Sequence, residues 1–226
     1  MATLVDTFSQ CVAAAAGLGT ASFALVDATK ALGGGISNSG FSRIEQVVTL
    51  FFSHEEQNDK TSPLGLSQLL LTLKANWLNG TDLGGQKAIA KSLLKLRLNA
   101  ATARQYATAT NVDSESLTHI AGKIVRGVPL NLPESDAWAR FDLILTAVLD
   151  QGYERADQIY RNSAKGLSVI VAVALAIIGS YSLYGSFDHL APAVLIGLAA
   201  TPVAPIAKDL ASALAAGVRA AETFRK

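Results

Sequence analysis

The stretch GLSVIVAVALAIIGSYSLYGSF, Gly166 to Phe187, decides how the rest of the chain is read. It carries no charged residue, and Val, Ile, Ala and Leu dominate it over the ~20 residues that a helix needs to cross ~30 Å of hydrocarbon. A core helix of a soluble protein rarely stays uncharged for so long, so the segment reads as a transmembrane helix. After a polar turn with Asp188 and His189, a second uncharged run goes from Leu190 to Ala207, and its length fits a return crossing that makes a hairpin. Pro192 suits the first turn of that helix. Pro202 and Pro205 each remove a backbone donor and should kink or restart it near the far interface.

The whole chain agrees with a lipid setting. Among 226 residues, 19 are basic and 18 acidic, half are hydrophobic and only 16% are charged, which excludes a disordered or collagen-like protein. A lone cysteine, Cys11, rules out an intrachain disulfide framework, and His54, His119 and His189 have no zinc-site spacing. With no basic neighbour and an apolar run around it, Cys11 reads as a small buried hydrophobe. That run, Thr7 to Val26, is uncharged but takes its apolarity largely from alanine. It reads first as a third membrane helix, with an Ala-rich helix between subunits or along the bilayer surface as alternatives. A signal peptide would need basic residues ahead of it, whereas the first charge is Asp6 and no basic residue precedes Lys30.

Lysine and arginine resist translocation, so their positions orient the chain. Arg155, Arg161 and Lys165 precede the strong helix and Lys208, Arg219, Arg225 and Lys226 follow its partner, which puts both flanks in the cytoplasm. Tyr181, Tyr184 and Phe187 form an aromatic belt at the outer boundary.

Between the apolar segments the pattern is helical. Gly33 to Gly40 (GGGISNSG) reads as a flexible joint. Ser42 and Glu45 have capping-box spacing, which predicts a helix from about Arg43 to Gln57 with Ile44, Val47, Val48, Phe51 and Phe52 on its apolar face. Ser62 before Pro63 predicts another from Leu64 to Leu78, stopped by Asn79 and Gly80. Further helices are predicted over Gln86 to Leu98, Ala101 to Thr108, Ser114 to Val125, and one long helix over Glu134 to Phe187 with Gly152 as its weak point. Beyond Pro205, Ile206, Leu210, Leu214 and Val218 recur every four residues, which predicts an amphipathic tail. The resulting fold class is an all-α integral membrane protein, a small cytoplasmic helical bundle plus a C-terminal transmembrane hairpin and an N-terminal membrane helix. Its segments are an apolar helix (1–32), a glycine-rich linker (33–41), the cytoplasmic region (42–133), the long helix (134–187), the second hairpin helix (190–207) and the tail (208–226).

No catalytic constellation stands out. His54, Glu55, Glu56 and Asp59 gather possible metal ligands, but the metalloprotease spacing fails and a solvated helix end is the simpler reading. Lys87, Lys91 and Lys95, backed by Arg97, form a stripe that could rest on anionic lipid headgroups or could be a solvated bundle face. The near-neutral charge gives no basic field for nucleic acid. Small residues recur at every fourth position, Ala13, Gly17 and Ala21 in the first run, Ala172, Ala176 and Ser180 in the strong helix, Ala193, Gly197 and Thr201 in the next. Such faces let helix backbones approach closely in lipid, within or between subunits. The absence of an ionisable group at mid-depth disfavours a proton-coupled transporter.

The segment LDQGYERADQIYR, Leu149 to Arg161, resembles the juxtamembrane segment of a family of uncharacterised bacterial inner-membrane proteins. In that family a cytoplasmic helical region precedes a pattern of Phe-Asp-Asp, Asp-Arg and Trp-Tyr-Lys, followed by a C-terminal membrane hairpin. Asp150, Glu154, Arg155, Tyr160 and Arg161 fall at matching positions, while Leu149, Gln151 and Ile159 stand where the family has Phe, the second Asp and Trp. The resemblance implies a multi-pass protein of the bacterial inner membrane and brings no activity. The function read from the sequence is therefore non-enzymatic and without cofactor, an oligomeric or accessory subunit whose partners are membrane lipids and other copies or subunits. An oligomeric channel or pore is the alternative. A membrane-bound enzyme acting on lipid, with His54, Glu55 and His119 as its titratable groups, is a further one.

Overall fold

The first long helix, α1 (Leu4–Ala28), passes through two short 3-10 turns, Thr29–Ala31 and Gly35–Ser37, into the second, α2 (Asn38–Thr49). Seven more follow: α3 (His54–Asn58), α4 (Leu66–Leu78), α5 (Leu83–Arg97), α6 (Ala103–Thr110), α7 (Ser114–Val125), α8 (Leu132–Tyr184) and α9 (Leu190–Pro202). The computed structural model describes residues 4–58 and 62–202, and among them there is no strand. The predicted tail, with Ile206, Leu210, Leu214 and Val218, and the positions Asp59, Pro205 and Lys208 lie outside the described residues.

Local chemistry explains where the helices begin and end. A capping box does form near α2, but at Ser53 and Glu56: the Ser53 amide donates to the Glu56 carboxylate at 2.9 Å and the Glu56 amide to the Ser53 hydroxyl at 3.3 Å, which opens α3. Ser42, predicted to cap α2, lies inside it and donates back to the Ser39 carbonyl. The helix predicted to run on to Gln57 stops at Thr49, and a turn separates it from α3. Asp82 and Asp113 accept the amides of Gly85 and Ser116, both at 2.7 Å, and so start α5 and α7. Asn131 and Glu134 cap α8 reciprocally at 2.8 and 2.9 Å. At the other ends, Gly80, Gly127 and Gly185 take positive φ, a conformation that costs other residues a steric clash.

Two compact units emerge, Ser37–Tyr160 and, separately, Met1–Ile36 with Arg161–Lys226. In the first, α2 to α7 and the front of α8 enclose Ile44, Val48, Phe51, Phe52, Leu73, Leu94, Tyr106, Phe141, Leu145 and Leu149, all essentially without solvent exposure. Each side chain of this kind contributes about 1.5–3 kcal/mol by leaving water. The Tyr106 hydroxyl donates to the Leu94 carbonyl at 2.8 Å, and burial pushes its pKa up to about 12. Two glycines set helix spacing. A Cβ on Gly40 would meet the Ala156 carbonyl oxygen at 2.6 Å, so the last glycine of the predicted joint is a packing residue within α2. A Cβ on Gly152 would meet Val47 Cγ2 at 2.8 Å, and α8 continues unbroken through that predicted weak point.

At 53 residues α8 is about 80 Å long. That exceeds any bilayer, and its front belongs to the bundle while its rear belongs to the second unit. There the chain turns at 185–189 and α9 packs back on α8: a Cβ on Gly197 would lie 2.5 Å from Val173 Cα. Two helices, Gln10–Ala31 and Leu132–Tyr184, are long and apolar enough to cross a membrane, and Leu190–Pro202 is a shorter apolar helix.

Candidate functional site

The basic stripe on α5 meets an acidic stripe that its own sequence neighbourhood does not contain. Lys87 pairs with Asp150 at 2.9 Å and Glu154 at 3.3 Å, Lys91 with Asp142 at 2.6 Å and Lys95 with Asp142 at 2.9 Å. The order is reversed along the two helices, so α5 and α8 run antiparallel here. Lys95 also sits 4.8 Å above the Trp138 ring. Hydrogen bonding to Asp150 raises the Lys87 pKa, and for Asp142 the two lysines outweigh burial and lower it. These lysines are paired with carboxylates on α8. Partly exposed pairs of this kind contribute about 0–1 kcal/mol each, so their main effect is to fix the register of α5 on α8.

Arg97, read with that stripe, is a core residue. Its side chain is 9% exposed, its guanidinium pairs with Glu56 and donates to the Phe51 carbonyl at 2.9 Å, and it stacks 3.9 Å from the Phe52 ring centre. Burial alone would raise the Glu56 pKa, but hydrogen bonds from Ser53 and Arg97 hold it below its ordinary value. The acidic cluster thus comes apart: Glu56 turns to Arg97, while His54 and Glu55 are exposed. His119, on α7, faces Glu134 at 3.1 Å, where Lys123 also binds. His54 and His119 are not brought into one site, and among the described residues no group of three His, Cys, Asp or Glu could hold a metal.

The apolar unit is built around very small residues. Ala15, Ala172 and Ala200 form its buried centre with Leu18 against them, and Ala193, Gly197 and Thr201 are buried on α9. Ala176 and Ser180 are half-buried on α8. On α1 the buried face differs from the predicted one. Ala15, Gly19, Ser22 and Val26 face inward, and Ala13, Gly17, Ala21 and Cys11 are exposed. Both sets have helical spacing and small side chains, so periodicity could not choose between them; Ser22 is accommodated because its hydroxyl donates to the Gly19 carbonyl at 2.8 Å. Arg155, Arg161 and Lys165 lie exposed on α8 just before the uncharged stretch.

The sequence reading did not single out Asp142, and it named Asp150 and Glu154 only through the resemblance, not as partners of the lysines. The spacing of these carboxylates puts them on one helix face, a signal visible in the sequence once a basic stripe is sought a partner. Comparison with protein-family models, curated proteins and solved structures returned no match for the chain.

Proposed function

We propose that this is a multi-pass membrane protein with a cytoplasmic helical bundle, acting without catalysis as a self-associating or accessory subunit of a membrane assembly. The observation that supports it is the inverted packing of the apolar unit. Alanines fill its interior, while Ile170 (66% exposed), Ile178 (61%), Leu183 (79%) and Leu195 (66%) point outward. In water such a surface is a liability, whereas in lipid large apolar side chains outside and small ones at the helix contacts are what packing requires. Arg155, Arg161 and Lys165 then hold the front of α8 in the cytoplasm and the turn at 185–189 lies outside.

Membrane fractions washed with alkaline carbonate should retain the protein. Single cysteines at Ser186, Ser135 and Thr223 in a Cys11→Ala background should react with an impermeant thiol reagent on intact cells at Ser186 alone. Labelling at Ser135 with Ser186 protected would invert the model. Light scattering of the detergent-solubilised protein should show an oligomer or a co-purifying partner, and a strict monomer without one would refute the subunit role.

The exposed face of α1 favours a second reading. Gln10, Ala13, Gly17, Thr20 and Ala21 are all on it, so several copies packed through this face would present polar groups to a central path. Vesicles carrying the protein would then leak a trapped dye, and persistently tight vesicles would remove the pore.

A further inference from the structure

A groove of about 320 Å³ opens within the apolar unit, lined by α1, the rear of α8 and α9. Leu18, Leu175 and Ile196 give it apolar walls. Gly179 keeps it open. A Cβ built there meets nothing within 4 Å, whereas the same atom on Gly197 strikes the backbone of Val173. Glycine at 197 is required by helix contact, but at 179 no neighbour requires it, and a larger residue would fill the groove instead.

One end of the groove is polar. Ser180 and Tyr184 lie one turn apart on α8, and the His189 ring centre is 4.2 Å from that of Tyr184. The turn that carries His189 is shaped by Gly185 at φ 65° and by the Ser186 hydroxyl, 2.9 Å from the Asp188 carboxylate. An apolar trough ending in hydroxyl and imidazole groups has the polarity of an amphiphile. Leu183, 79% exposed, lines the groove and belongs to the surface that the proposed function places in hydrocarbon, and the groove's polar end coincides with the turn placed at the outer interface. On that reading, what surrounds it there is bilayer lipid.

We infer that this groove is a lipid-binding site that takes one acyl chain of a membrane phospholipid, with the ester or phosphate oxygens held by Ser180, Tyr184 and His189. Its volume, at the lower end of that of small-molecule pockets, fits one chain rather than a whole lipid. The inference rests on the membrane reading above.

The test uses the full chain in phosphatidylcholine vesicles doped with a phosphatidylcholine that carries a photoreactive diazirine on one acyl chain, with adducts mapped by mass spectrometry. Adducts at Leu175 and Ile196 should exceed those at Ile170 and Leu195 on the outer faces. Gly179→Leu should cut the groove adducts about tenfold, as the loss of roughly two buried methylene contacts would, and leave Ile170 and Leu195 unchanged. A second variant, Ser180→Ala with His189→Leu, leaves the groove open and should lower the same adducts about fivefold through lost hydrogen bonding. Equal labelling of groove and outer faces, unchanged by both variants, would mean bulk lipid contact only and overturn the site. No adducts anywhere in 166–202 would instead overturn the membrane reading itself.

Discussion

Gly152→Ala separates two opposite expectations. From helix propensity alone, removing an interior glycine should stabilise α8 by up to about 1 kcal/mol. The structure reverses the sign, because the new Cβ would lie 2.8 Å from Val47 Cγ2, 3.1 Å from its Cβ and 3.3 Å from its Cγ1. All three contacts are with one β-branched side chain on a helix, where a single χ1 rotamer dominates, so Val47 cannot swing away cheaply. Overpacking of this kind costs about 1–3 kcal/mol, and after the propensity gain the net loss should be about 0–2 kcal/mol. Both tryptophans, Trp77 and Trp138, lie in the bundle and pack around its core, so intrinsic fluorescence of the full chain in mild detergent reports its unfolding by denaturant. Truncating the obstacle supplies the control. In a Val47→Ala background the two methyl contacts are gone while the Cβ at 3.1 Å remains, so Gly152→Ala should cost less than it does in the otherwise unchanged protein. If Gly152→Ala stabilises the otherwise unchanged protein, α2 and α8 do not approach as described.

Three further outcomes follow from the bundle. Arg97→Met should cost about 2–3 kcal/mol, below the usual penalty for breaking a buried pair because Glu56 keeps about a third of its side chain in water; Arg97→Lys should recover only part of it, since an ammonium cannot stack flat on Phe52, and a loss within about 0.5 kcal/mol would refute the core role. Glu56 and Asp142 have pKa values held below their ordinary 4.5 and 3.8, so their stabilisation is complete above those values and is lost as the pH falls through the lower folded ones. Lys87 has the opposite sign, losing its contribution only as the pH rises past its raised value above 10.5. A melting profile against pH should therefore fall on the acid side, and Glu56→Gln with Asp142→Asn should flatten that limb. Tyr153→Phe should raise stability by about 1 kcal/mol, because the buried Tyr153 hydroxyl has no hydrogen-bond partner among the described residues; a drop in the denaturation midpoint would contradict this.

The sequence by itself determined the kinds of element and most of their places. Helical periodicity and end signals put α7 at Ser114–Val125, ran α8 to Phe187, just past its end at Tyr184, and isolated the uncharged stretch after Lys165, because all of these depend on residues close together along the chain. Where two signals of one type lay side by side, local pattern was not enough: the capping box near α2 belonged to Ser53 and Glu56, since only there does the chain leave the preceding helix free to turn. What the tertiary structure decided were the pairings between distant segments. Lys87 meets Asp150, and Arg97 meets Glu56, only after α5 is laid against α8 and beside α3. The inward face of α1 was likewise settled by packing, since Ala13, Gly17 and Ala21 form as good a small-residue stripe as the buried Ala15, Gly19 and Ser22. Gly152 and Gly179 make the same point. Both are interior glycines of one helix, and only the presence of Val47 opposite the first and open space beside the second gives them opposite roles, because a missing side chain takes its meaning from what stands across from it.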